Sequence, residues 1–158
     1  MDSSTQIAPF IVAAAGVFKD LFDMEIRNGQ PQQEGDSFIS QGFTVMVGLT
    51  DGWEGWFLLD MSQETAMNLA GIMTGETYSS LEDEEVLLAG AEIGNIISGN
   101  AITEINNKQK GLNIRLAPPS VFAGDGLNMF NVRLNSWSVL LDSDAGPIKI
   151  NVVAREGK

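Results

Sequence analysis

With no histidine and no cysteine in the chain, any reaction it performs must run on carboxylates, amides, hydroxyls or lysine amines. Ser-His-Asp and Cys-His machinery, an iron facial triad and a phosphohistidine relay are excluded. Disulfides and cysteine-based zinc sites are excluded with them. The pair best placed to do chemistry is Glu92 and Asn95, inside LEDEEVLLAGAEIGNIISGNAITEI, Leu81 to Ile105. At about 100° per residue, Val86, Gly90, Ile93, Ile97 and Ala101 share one side of a helix, and Glu85, Leu88, Glu92, Asn95 and Gly99 gather on roughly the opposite side. Glu92 and Asn95 are therefore neighbours that point away from the core. A side-chain amide offers a donor and an acceptor without changing charge, and a carboxylate is the natural match for an ammonium. Spacing alone describes no more than an ordinary solvated helix face.

The same helix carries glycines at 90, 94 and 99, each costing about 1 kcal/mol relative to alanine in a helix interior. Gly90 and Gly94 fall toward the packed face, where a missing side chain permits close approach of another element. Gly99 falls on the exposed face, one turn after Asn95, where it leaves room for another protein's backbone.

The elements that must hold this helix follow from periodicity. Phe10, Ala14, Val17, Phe18 and Leu21 mark one face of a first helix over residues 7–24. Gly29 and Pro31 end that pattern, and the polar stretch Asn28 to Ser37 reads as a loop. Phe43, Val45, Val47 and Leu49 alternate with Thr44, Met46 and Gly48, and Asp51-Gly52 turns the chain into Trp53 to Asp60, a hairpin. Ser62 caps a helix with Ala66, Leu69, Ala70 and Met73 on one face and Gly75 beyond its end. After the long helix come extended segments at Leu112 to Phe122, Met129 to Leu141 and Pro147 to Arg155, the last two joined by Ser143 to Gly146. Helix followed by strands occurs twice, which suggests an internal duplication.

A chain of 158 residues with 44% hydrophobic and 19% charged residues suits one globular domain, here residues 1–158. Its formal net charge of -12 repels nucleic acid and anionic membrane surfaces, and favours a basic or amphipathic partner. No Lys or Arg precedes Lys19, so the charged start of a secretory signal is missing. The apolar stretch Ile7 to Phe18 falls short of the roughly 20 residues a bilayer requires. A cytoplasmic location is expected.

Glu92-Ile93-Gly94-Asn95-Ile96-Ile97-Ser98-Gly99-Asn100 resembles the E-x-x-N signature helix of the CheC, CheX and FliY family. The wider family pattern is Asp or Ser, three residues, Glu, two residues, Asn, twenty-two residues and Pro. It is met at Glu92, Asn95 and Pro118, and departed from at its first position, where Leu88 stands. Pro118 to Gly124 (PPSVFAG), and Gly55-Trp56-Phe57-Leu58-Leu59 followed by a capped helix, are similar to CheX-like segments. The resemblance implies an α/β (α+β) fold of the CheC type: two pseudo-repeated helix-and-strand units, a mainly antiparallel sheet and two long helices on one face. It also implies a homodimer that joins sheets, with Met129 to Arg155 able to supply the edge.

The chemistry implied by the resemblance is hydrolysis of the aspartyl phosphate on a CheY-type receiver domain. The receiver brings its own Mg²⁺ and Lys, so no cofactor or metal is expected on this chain, and catalysis is a matter of positioning. Asn95 would orient the attacking water in line with the phosphorus, and Glu92 would pair with the receiver's Lys. The first helix has no Glu or Asn between Phe10 and Phe22, so one site per chain is expected. The alternative is a non-catalytic docking module for a receiver domain or a CheD-like partner. A flagellar-switch component is disfavoured by the absence of room for attachment domains. Asp142 to Gly146 departs from a calcium loop and reads as a hairpin turn, as Gly124-Asp125-Gly126 reads as a turn. Trp53, Trp56 and Trp137 are expected in packing roles.

Overall fold

The computed structural model describes residues 3–35, 37–130 and 136–156. Along the chain these form α1 (Ser3–Gln6), α2 (Ala8–Phe22), β1 (Arg27–Asn28), β2 (Gln32–Gly35), β3 (Ser37–Ile39), β4 (Gly42–Thr50) and β5 (Trp53–Ser62). There follow α3 (Gln63–Thr74), α4 (Glu84–Lys108), β6 (Arg115–Leu116), β7 (Ser120–Ala123), β8 (Asn128–Phe130), β9 (Ser136–Ser143) and β10 (Gly146–Glu156). The main sheet has eight strands in the order β1-β9-β10-β5-β4-β6, with β2 also on β9 and β7 also on β4. Its pairings are antiparallel.

Two hairpins make the centre. Asp51 and Gly52, both at positive φ, join β4 to β5, and Asp144-Ala145 join β9 to β10. The hairpins meet through β5 and β10, paired from Ile148↔Met61 to Glu156↔Trp53. Each hairpin follows a long helix in the chain, which is the duplicated helix-and-strand pattern in three dimensions.

Strand alternation sends one set of side chains to each face. Phe43, Val45 and Val47 of β4, Phe57, Leu59 and Met61 of β5, and Ile148, Ile150 and Val152 of β10 pack with Phe10 and Phe18 of α2, Leu69 of α3, and Ile93 and Ile97 of α4. Phe10 stacks on Phe57 with ring centroids 5.1 Å apart. The intervening residues Met46, Trp56 and Leu58 face the other side and pack against Phe38 of β3 and Met129 of β8. Trp53 is buried and Trp56 and Trp137 are half-buried against these clusters. On the second face the buried Asp60 carboxylate accepts from Thr44 Oγ1 at 2.6 Å, Ser40 Oγ at 3.0 Å and Gln41 N at 3.2 Å, so its burial is matched by donors.

Several expectations need correction. The stretch Asn28 to Ser37 is not a loop throughout: it contains β2 and the start of β3, while β1 ends on Asn28. These strands are short and polar because they line a sheet edge, where Arg27 pairs with Asp142 and Gln32 with Ser138. Leu21 is 43% exposed while Phe22 is buried in its place, its ring 5.2 Å from that of Phe18. Met73, in the last turn of α3, is also partly exposed. Leu112 to Phe122 is two strands, β6 and β7, separated by Pro118-Pro119, which have no N–H to donate to a ladder. Of the segment Met129 to Leu141, residues 131–135 lie outside the described residues. Met129 belongs to β8, which pairs with β3 in a separate two-stranded sheet. Among the described residues of Met129 to Arg155, neither β9 nor β10 leaves an open main-sheet edge, since β10 is central and the far side of β9 carries β1 and β2.

Among the described residues one helix, α4, is long and apolar enough by length and composition to cross a membrane. Its buried side lies on the sheet, and half of its most apolar stretch is inside the fold, as in a core helix.

Candidate active site

Asp83 caps α4, its Oδ1 accepting from Glu85 N at 3.0 Å, and Glu84 and Glu85 occupy the first turn, where carboxylates meet the positive end of the helix dipole. Lys108 closes the last turn and pairs with Glu104 at 2.9 Å. Asn106 then holds the chain as it turns back, accepting from Ile114 N at 2.9 Å and donating to Ile114 O at 3.1 Å. That clamp aims the chain into β6 and along the outer side of β4.

The seating of α4 on β4 depends on its glycines. A Cβ on Gly90 would lie 2.4 Å from Phe43 Cε1, and one on Gly94 would lie 2.7 Å from Val45 Cγ1. Both glycines therefore permit the close approach that the sequence suggests. Ser98 Oγ, also buried, donates to Gly94 O at 2.7 Å, so the packed face carries no orphaned hydroxyl. With Val86, Ile93, Ile97 and Ala101 all buried against the core, the rotation of the helix is fixed.

That rotation presents Glu92 and Asn95 to solvent, both exposed. Among the described residues neither side chain has a hydrogen-bond or ion-pair partner. Leu88, one turn before Glu92, is 60% exposed. Gly99, one turn after Asn95, is half-buried, with Leu116 Cδ1 3.9 Å from where its Cβ would be. The structure thus gathers all four on one face, flanked by β6 and β7 and the Ala117-Pro118-Pro119 segment between them, anchored by Ala117 N donating to Gly48 O at 2.9 Å. Pro118, distant in sequence from the pair, lies exposed in the connection between these two strands.

Glu85 shares the face but is engaged: the Tyr78 hydroxyl donates to its carboxylate, and the same hydroxyl lies 3.0 Å from Thr74 Oγ1. This contact pushes the Tyr78 phenol above its ordinary value of 10.0, since deprotonation would place a phenolate against a carboxylate. Nothing in the spacing of the helix residues signals Tyr78, which lies in the α3–α4 connection. Among the described residues no group of three or more acidic side chains is gathered as metal ligands would be.

A pair of unengaged side chains on the exposed face of a helix seated on the sheet is suited to reaching into another molecule's site rather than enclosing a substrate. Comparisons with known proteins bear on which molecule. Residues 43–141 match the family model described as chemotaxis phosphatase CheX. The chain is 27% identical over 123 residues, 78% of this chain and 75% of the relative, to the CheY-P phosphatase CheX of Thermotoga maritima. A chain in the crystal structure of the CheX-CheY-BeF₃-Mg²⁺ complex from Borrelia burgdorferi is similar with a TM-score of 0.80 and 32% identity, covering 96% of this chain and 98% of that one. The chemotaxis protein CheX of Desulfovibrio desulfuricans shares the fold, with a TM-score of 0.85 at 20% identity over 96% and 99% of the two chains. The signature helix, its seating and these matches together place the chain in the CheX family of chemotaxis phosphatases.

Proposed function

We propose that this chain hydrolyses the aspartyl phosphate of a CheY-type response regulator, with Asn95 orienting the attacking water and Glu92 pairing with the regulator's active-site Lys. The observation that carries the reading is the unengaged pair on the outward face of α4. The Thermotoga relative is a CheY-P phosphatase and the Borrelia relative forms a complex with CheY, which supports a receiver as the partner. The receiver supplies Mg²⁺ and the phosphorylated carboxylate, so this chain has only to place an amide and a carboxylate. A neutral amide can hold a water by one donor and one acceptor without taking its proton, so the acceleration comes from orientation. The test is decay of phosphorylated CheY: Asn95→Ala is expected to lower kcat on the order of 10² or more with receiver binding and melting temperature unchanged. Wild-type decay rates in this variant would reject the catalytic role. Retained binding without hydrolysis by the unmodified chain would favour the docking-module alternative.

The proposed setting is the cytoplasm and the proposed state a homodimer. With β9 and β10 paired on both sides, the main-sheet edges left for such joining are β1 with β2, and β6 with β7. Light scattering at micromolar concentration reads the mass directly, and a monomer would reject the dimer.

A further inference from the structure

The outward face of α4 offers a partner more than two polar side chains. Leu88 is 60% exposed, whereas Val86, Ile93 and Ile97 on the same helix are buried. A single exposed leucine is unremarkable on most surfaces. Its position makes this one informative: residues four apart on a helix have Cβ atoms about 5–6 Å apart, so a surface that closes over Glu92 must also cover Leu88. The helix cannot rotate to withdraw it, because Gly90 and Gly94 lock the opposite side onto Phe43 and Val45. A partner that met Leu88 with a charged or strongly polar group would have to desolvate that group without recompense. The net charge of -12 attracts basic surfaces from a distance and discriminates little between them at contact.

We infer that Leu88 is the apolar anchor of the receiver-docking surface. It selects receivers that carry an apolar side chain about one helical turn from the Lys that Glu92 meets. The inference deepens the proposed function and rests on its docking component, not on hydrolysis. The occupant is a receiver domain because the anchor is continuous with the Glu92/Asn95 pair, and because the 32% identical Borrelia relative is complexed with CheY.

The experiment titrates the source organism's CheY, labelled and loaded with BeF₃⁻ and Mg²⁺, against wild type, Leu88→Asn, Leu88→Met and Asn95→Ala, with phosphate decay measured in parallel. Leu88→Asn is expected to raise Kd about tenfold and KM with it, leaving kcat at saturation within about twofold and the melting temperature unchanged. Leu88→Met, apolar and similar in volume, should restore wild-type binding. A Kd within about twofold of wild type for Leu88→Asn overturns the inference. So does a loss confined to kcat, or a change of mass in light scattering with unaltered affinity, which would assign the face to a second copy of this chain. Leu88-sensitive binding without hydrolysis by the wild type would remove the phosphatase reading and leave the anchor standing. Absence of wild-type binding would overturn both.

Discussion

Gly90 sits directly over the ring of Phe43, where a Cβ would come within 2.4 Å of Cε1 and 2.5 Å of Cζ. The ring is buried and stands on β4, so it cannot swing aside as a surface side chain would. Gly90→Ala is therefore expected to destabilise the fold. Overpacking costs about 1–3 kcal/mol, against roughly 1 kcal/mol of helix propensity gained. Gly99→Ala should do the reverse, since its nearest neighbour is an ordinary contact at 3.9 Å. It is expected to raise stability by up to about 1 kcal/mol while weakening receiver docking on the crowded outer face. Urea unfolding of the two variants checks the signs, and a stabilised Gly90→Ala would show that the helix is not seated as described.

The parts of the fold that the sequence made legible are those whose signals are local. Phe43 to Leu49 alternate, Val86 to Ala101 recur at helical spacing, and Ser62 and Gly75 bracket α3 as cap and left-handed terminus, with Ser62 Oγ accepting from Thr65 N at 3.1 Å. The strands β1 and β2 were not legible, because their identity rests on pairing with β9 more than 100 residues away, as in the separation of 115 between Arg27 and Asp142. No alternation of apolar residues marks a two-residue edge strand. The site divides the same way: the helix period places Glu92 and Asn95 on a common outward face, and their proposed roles come from kinship. Tyr78, which engages Glu85, lies in an aperiodic connection and had no signal.

Tyr78 is the only tyrosine in the chain, so its titration can be followed by phenolate absorbance without ambiguity. The hydrogen bond to Glu85 raises its pKa above 10.0. A group with a folded pKa above its unfolded value contributes stability below the unfolded pKa and loses it as pH rises through the folded one. This contact is therefore constant through neutral pH and released only in strong alkali. Glu85→Gln should move the absorbance transition down toward the ordinary tyrosine value. An unchanged transition would mean that the hydroxyl does not donate to Glu85 in solution.

Glu92 and Asn95 should separate in their response to salt. The proposed partner of Glu92 is a lysine ammonium, and Glu92 is exposed before docking, so long-range attraction between approaching charges is screened over about 8 Å at 0.15 M and about 3 Å at 1 M ionic strength. The KM of the unmodified chain for phosphorylated CheY should therefore rise with ionic strength. Part of that slope belongs to the net charge of -12, which Glu92→Gln reduces by one unit while removing the contact itself. Glu92→Gln is expected to raise KM at low salt by about tenfold and to flatten its dependence on salt. Asn95→Ala should keep the wild-type slope, because the amide carries no charge, and should lose kcat instead. Steady-state decay of CheY phosphate at several salt concentrations measures both quantities. A salt slope for Glu92→Gln as steep as that of the wild type would show that its carboxylate does not meet a cation on the receiver, and would leave Glu92 a solvated residue on the outer face of α4.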